Sequence, residues 1–442
     1  MANSSSQPLT ITERLPPEIM SDIFVLCTPS TIMRHYWDDI NFQLGISIPL
    51  TLSSVCGLRR SAAHSTPALW MSFRIYLPFK SPQRTQQAQR WLSRSGQLPL
   101  SIKIRPHPSR FRDRSYPLVD EMINLINSYS HRWESLEIAS SPEVFRRFSD
   151  NSTSVLKTLV FFPDHGSHLS YDYLLKVCWN NVVHFTVRYI GIGQAVEIFR
   201  LAPQLREFFF SNITILNSDN PPLPSPPLLH MGLETLHVND YPVPRLFDSI
   251  TLPSLKTLHY TGYGPLPFSS IFLNRSGCSL KTFTLVKSYT TDAVILPVLF
   301  AMPHLETLTL RPPKLRFPYI TNRMLHMLAD TATISPCLHD QPDGPFLPKL
   351  RSLTYIGFPT FSWNCIPIVF GHGTKEPGAS PKSDQRPLQS FSIKLYYLKE
   401  EPESNVISEL NHLMDEEGYE IQIFKVSRCY SREVERDLLD GT

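Results

Sequence analysis

LETLHV at 233–238 and LKTLHY at 255–260 are one phrase written twice, 22 residues apart. Positions 1, 4 and 6 are apolar, and positions 2, 3 and 5 are polar or titratable. The same phrase recurs upstream as WESLEI (133–138), LKTLVF (156–161), VVHFTV (182–187) and LREFFF (205–210). Downstream it recurs as LKTFTL (280–285), LETLTL (305–310), LRSLTY (350–355) and LQSFSI (388–393). The ten starts are separated by 23, 26, 23, 28, 22, 25, 25, 45 and 38 residues.

A period near 25 built on L-x-x-L-x-L is the signature of leucine-rich repeats, with one strand per repeat stacked into a solenoid. Alternation along a strand turns positions 4 and 6 inward, with position 1 beside them, and turns positions 3 and 5 outward. The predicted fold is therefore α/β, with a parallel sheet across the array. A solenoid packs each repeat only on its neighbours, so 442 residues need not form one compact core. Such a chain offers a surface for holding a partner more readily than a pocket for chemistry.

Helical segments precede several strands: AVEIFRLAP (195–203), VPRLFDSITLP (243–253) and AVILPVLFAMP (293–303). A proline precedes the strand at Pro203, Pro253, Pro303 and Pro348, read as the stop of each helix. Insertions interrupt the array at 217–227, 312–347 and 371–387. The C-terminal stretch 399–442 reads as a cap. It holds a helix over 404–418, with Ile407, Leu410 and Met414 on one face, and a strand over 419–426.

The outward face is rich in hydroxyls: position 3 is Ser or Thr in eight of the ten copies. Position 5 places His237 and His259 in consecutive repeats, next to Phe209. One step past the hexads stand Phe162, Arg188, Asn239, Arg311, Ile356 and Lys394. Phe162, Arg188, Phe209, His237, Asn239, His259 and Arg311 are the candidate partner-binding residues. The two histidines lack an identifiable third ligand and read as solvated side chains, so no metal or other cofactor is expected.

Charge and motifs narrow the function. Net charge is +3, too small to recruit polyanions or membranes. The basic segment with Lys103, Arg105, Arg110, Arg112 and Arg114 reads as a solvated loop, so no nucleic acid is expected. GIGQAVEIFRLAP (191–203) mimics a dinucleotide loop but has Val196 at the third glycine. No G-x-S-x-G, P-loop or H-E-x-x-H occurs, and the expectation is a non-enzyme. Seven cysteines without metal-ligand spacing read as reduced thiols. The N-terminus has no signal-peptide run, and no stretch of 18 apolar residues occurs. The expected location is cytoplasmic, nuclear or both.

Ahead of the array, residues 1–13 are a polar tail. LPPEIMSDIF (15–24) starts a helix at a proline pair, with Ile19, Ile23 and Leu26 spaced as an apolar stripe. After a polar linker (28–48), residues 49–70 read as a further helical stretch ending in STPALW. LPPEIMSDIF followed by VCGLRRSAAHSTPALW (55–70) resembles the F-box, in the F-box-like form common in fungal proteins with degenerate leucine-rich repeats. Arg59 stands where related sequences usually carry tryptophan. The resemblance implies a helical module (14–75), connecting helices and a strand (76–130), and a repeat solenoid (131–398).

It also implies a function: a substrate receptor that docks on a Skp-type adaptor, and through it on a cullin–RING ubiquitin ligase, while the repeats hold a target protein. Leu15, Pro16, Pro17, Ile19, Ile23 and Phe24 are the implied adaptor-binding residues, with Val55 and Cys56 packing the module. The alternative is a repeat scaffold unconnected with ubiquitin.

Overall fold

The structure is a computed structural model, describing residues 15–28, 48–77, 81–106, 117–148, 155–163, 171–212, 221–239, 244–313, 319–331, 345–370, 388–396, 401–429 and 432–437. The tail 1–13, most of the linker 28–48, the insertion 371–387, and Arg110, Arg112 and Arg114 lie outside the described residues. The chain divides into two compact units, Met1–Val182 and Val183–Thr442. Each is an α/β assembly of parallel strands flanked by helices, solenoid-like in its one-strand-per-repeat plan.

Among its described residues, the first unit opens with three helices, α1 (Pro17–Leu26), α2 (Ile48–Val55) and α3 (Gly57–His64), and a 3₁₀ turn (Pro67–Trp70). The stretch expected as one helix over 49–70 is broken at Cys56, whose extended backbone (φ −157°, ψ 171°) makes it the N-cap of α3. Its thiol accepts the Arg59 N–H at 3.5 Å. Met20, Phe24, Ala62, Ala63, Leu69 and Trp70 form the module's core. The Trp70 indole N–H donates to the Ala63 carbonyl at 2.8 Å, and Trp91 donates to the Trp70 carbonyl at 3.0 Å. The two rings meet edge to face, 4.7 Å between centroids. Val55 and Cys56, expected to pack this module, are exposed instead, because the break at Cys56 turns both out of the helix interface.

Four strands follow: β1 (Ser72–Leu77), β2 (Leu100–Pro106), β3 (Trp133–Ser140) and β4 (Thr158–Pro163). Between them lie α4 (Gln83–Arg94), α5 (Pro117–Asn127) and the short α6 (Pro142–Phe145), and α7 (Tyr171–Leu174) comes after β4. Helix α5 buries Val119, Met122, Ile123 and Ile126, the face its spacing predicts. All four strands are parallel, with Ser72, Ser101, Ser135 and Thr158 in one row. The parallel ladder thus begins two strands before WESLEI. WMSFRI (70–75) and PLSIKI (99–104) are the same hexad with Trp70 or Pro99 at position 1. The expected boundaries at 75/76 and 130/131 fall inside and after this part of the ladder.

The second unit carries the strands β5 (His184–Arg188), β6 (Glu207–Ser211), β8 (Thr235–Asn239), β10 (Thr257–Thr261), β11 (Thr282–Val286), β12 (Thr307–Arg311), β13 (Ser352–Gly357), β14 (Ser390–Tyr396), β15 (Glu420–Cys429) and β16 (Arg432–Asp437), neighbours in that order. All pairings are parallel except the last, where β16 returns antiparallel. The two-residue strands β7 (Leu228–Leu229) and β9 (Ile250–Thr251) form a separate small sheet. Equivalent hexad positions pair rung after rung: Thr235, Thr257, Thr282, Thr307, Ser352 and Ser390 align in one row. Glu420 extends it, which makes GYEIQI (418–423) a further hexad, with Gly418 at position 1.

The backbone explains the constancy of this register. The carbonyl of position 2 accepts two N–H groups from the next rung: Arg206 from Glu234 and Thr235, Glu234 from Lys256 and Thr257, Lys281 from Glu306 and Thr307. Positions 1, 4 and 6 are buried in each of the ten hexads from WESLEI to LQSFSI, as in Leu305, Leu308 and Leu310. Each buried leucine contributes roughly 1.5–3 kcal/mol of transfer free energy.

The recurring prolines do more than stop helices. Leu205, Leu255, Leu305 and Leu350 donate to the carbonyl three residues back at 3.1, 3.3, 3.1 and 3.2 Å. Pro203, Pro253, Pro303 and Pro348 therefore occupy the second place of a four-residue turn, where a preset φ is favoured. The insertion over 312–347 adds a helix (Asn322–Asp330), which buries Met324, Leu325 and Leu328, while β12 still pairs directly with β13. In the C-terminal helix Ser404–Asp415 the buried face is Val406, Leu410 and Leu413, rotated from the expected one.

Candidate functional site

On the strand face of the second unit, position 5 brings three rings into a column. Phe209 and His237 stack at 3.9 Å and 19°, and His237 and His259 at 4.9 Å and 12°. Parallel strands in register place these side chains on adjacent rungs about 4.8 Å apart, which is stacking distance for flat rings. His259 Nε2 lies 3.0 Å from the Thr261 hydroxyl. The histidines are the near neighbours that their equivalent positions predict. Stacked rings send their in-plane nitrogen lone pairs along parallel lines that do not converge on one point, so the pair forms a platform.

Around the stack the face is hydroxyl-rich. Thr284, Thr309, Thr354 and Ser392 continue the column, all half-buried. Arg188, Asn239, Arg311 and Lys394 stand at position 7, Asn239 exposed and the three cations half-buried. The Arg311 guanidinium reaches the Tyr396 hydroxyl at 3.4 Å, and the Lys394 ammonium sits 5.2 Å from the Phe424 ring centre.

Two outward expectations fail in the first unit. Phe162 is only 6% exposed and belongs to the core. Glu137, at an outward position, is also buried, because Lys103 and Arg105 on β2 converge on its carboxylate. Those two cations stand on a strand and not in the expected loop.

The position 2 residues, read in sequence merely as polar, form a ladder of ion pairs. Lys256 meets Glu234 at 2.9 Å, with Arg206 at 3.8 Å on the other side, and Lys281 meets Glu306 at 2.9 Å. The hydrogen bond from Lys256 holds the Glu234 carboxyl below its ordinary range, and Lys281 does the same for Glu306. The alternation Arg206, Glu234, Lys256 and Lys281, Glu306 is visible in the sequence once the hexads are stacked.

The second candidate surface is the N-terminal module. Its first helix has two apolar faces: Met20 and Phe24 point into the core, while Ile19 (47%), Ile23 (42%) and Leu26 (84%) face outward. Phe24, expected among the adaptor contacts, is thus a core residue, one position round the helix from the outward stripe. Pro16 and Pro17 are exposed and Leu15 half-buried at the entry to α1. Leu50, Val55 and Leu58 on α2 and α3 are also exposed. Ser21 ties the module together, its hydroxyl 2.8 Å from that of Thr66.

The glycine of GIGQ that mimics a nucleotide loop has a packing explanation. A Cβ at Gly193 would lie 1.9 Å from the Pro221 carbonyl oxygen. The proline-rich excursion presses directly on α8 (Ile192–Leu201), and only glycine allows that approach.

The chain matches no family model, and no curated protein matches it in sequence.

Proposed function

We propose that this protein is an interaction scaffold that performs no chemistry of its own and holds a partner protein on the strand face of its second unit. The observation that carries this reading is the in-register ladder, which sets a ring stack, a hydroxyl array and flanking cations side by side on rigid strands. Aromatic and arginine side chains held on a rigid frame are the usual anchors of protein interfaces. The test is affinity capture with the full chain against a Phe209→Ala/His237→Ala variant that keeps its folded circular-dichroism spectrum. Loss of the same specific partners from the variant supports the reading, and an identical partner set counts against it.

One observation favours a sharper form, the substrate receptor of a cullin–RING ubiquitin ligase suggested by the F-box resemblance. Exposed Ile19, Ile23 and Leu26, behind the exposed Pro16 and Pro17, make an apolar grip on a helix whose other face is already used by the core. Apolar side chains exposed together mark contact sites. In this reading the grip takes a Skp-type adaptor, and the strand face brings a target to the ligase, raising its effective concentration. Co-purification with a Skp-type adaptor, lost in Ile19→Asp/Ile23→Asp, is the expected result. Absence of capture by the wild-type chain removes the ubiquitin reading and leaves the scaffold.

A further inference from the structure

We propose that the strand face of the second unit takes an extended acidic segment of its partner, with a flat side chain between two groups of carboxylates. This deepens, and rests on, the scaffold reading above. The reason is the arrangement of charge. Positions 5 and 7 of β5 through β14 hold Arg188, Arg311 and Lys394 and not one carboxylate. The acids of this face, Glu207 and Glu420, are confined to position 3, and Glu207 Oε2 already lies 3.0 Å from His184 Nδ1. Lys287 adds a cation directly after β11, and its N–H bonds the Arg311 carbonyl at 2.7 Å, which sets the two side by side.

The spacing is as informative as the sign. At about 4.8 Å per rung, Lys287 stands about 19 Å along the ladder from Arg188, Arg311 about 24 Å and Lys394 about 34 Å. The ring stack of Phe209, His237 and His259 fills the three rungs between Arg188 and Lys287. An extended chain covers about 34 Å with roughly 10 residues. A segment crossing the strands would therefore meet a cation, then about three rungs of ring surface, then three cations. Carboxylates suit the two ends, and a proline or aromatic side chain suits the middle.

The test uses the full chain and a labelled synthetic peptide of twelve residues, with aspartate pairs at both ends and tryptophan at the centre. Binding is read by fluorescence anisotropy at two salt concentrations. The expected result is saturable binding that weakens with salt, is lost when lysines replace the aspartates, and falls at least tenfold in Arg311→Glu/Lys394→Glu. His237→Ala is expected to weaken it at least threefold. Arg311→Gln, a milder change checked by circular dichroism, separates lost charge from lost fold. Equal binding of the lysine peptide, or affinity unmoved by charge reversal, overturns the proposal. So does binding that requires phosphoserine in place of aspartate. Capture of a Skp-type adaptor, measured on the same preparation, stays independent of these outcomes, so the two readings fail separately.

Discussion

His230 shows how one buried side chain links this fold to pH. Its Nε2–H donates to the Ala202 carbonyl at 3.1 Å, while Nδ1 accepts the Leu233 N–H at 3.1 Å, so both nitrogens are committed to the neutral ring. Burial lowers its pKa below the ordinary 6.5. In the unfolded chain the ring protonates near 6.5, so between that value and the lowered one the unfolded state binds more protons. Stability is fully present above about pH 6.5 and falls as pH drops below it. Urea midpoints measured from pH 7.5 to 5 are expected to decline over that window, and to decline less in His230→Gln, whose amide can serve both partners. A second contrast lies in α1. Phe24→Ala opens the module core and is expected to cost about 3–5 kcal/mol. Ile23→Ala, on the exposed face, is expected to change stability by about 0.5 kcal/mol or less while weakening adaptor capture. Residue type alone did not separate these neighbours: both are large and apolar, and only the rotation of the helix decides which is inside.

At the scale of the element, the strands were legible because their period is enforced by burial. Three inward positions per hexad must be apolar, and the ten hexads form strands in matching register within each unit. Three further rungs carry Trp70, Pro99 and Gly418 at position 1, outside the leucine pattern, although the stretch 419–426 is already expected as a strand. Trp70 shows why this is tolerated: a ring 0% exposed fills the same inward place as an aliphatic chain. Helix packing was less legible. In the C-terminal helix, Ile407 and Met414 satisfied the spacing as well as Val406 and Leu413 did, and the sheet beneath selected the latter. Glycine makes an element-scale prediction. Gly193→Ala drives a methyl into the Pro221 carbonyl, whereas Gly57→Ala, at the first position of α3, meets nothing within 4 Å. Thermal melts are expected to show Gly193→Ala clearly lowered and Gly57→Ala unchanged or raised.

At the scale of the whole molecule, the two surfaces belong to separate units and are expected to act independently. Substitutions at sites with no shared partners generally add. Ile19→Asp/Ile23→Asp is therefore expected to abolish adaptor capture and leave acidic-peptide affinity within about twofold. Arg311→Glu/Lys394→Glu is expected to do the reverse. Loss of both functions from either variant would mean that the grip and the face are not separate sites. The candidate face was only partly legible. His237 and His259 could be paired from the repeat alone, because a shared position in a parallel ladder dictates adjacency. The charge alternation at position 2 could be read in the same way, but the burial of Phe162 and Glu137 could not, because it depends on which side chains meet across rungs.

The repeat, its strands, their register and the identity of the outward columns follow from the linear order of apolar residues, since burying one face of a strand demands period two. Which face of each helix is hidden, which outward residues are covered, and which charges meet depend on contacts between segments far apart in the chain. A side chain's exposure belongs to its neighbours as much as to itself, and those neighbours exist only once the chain has folded.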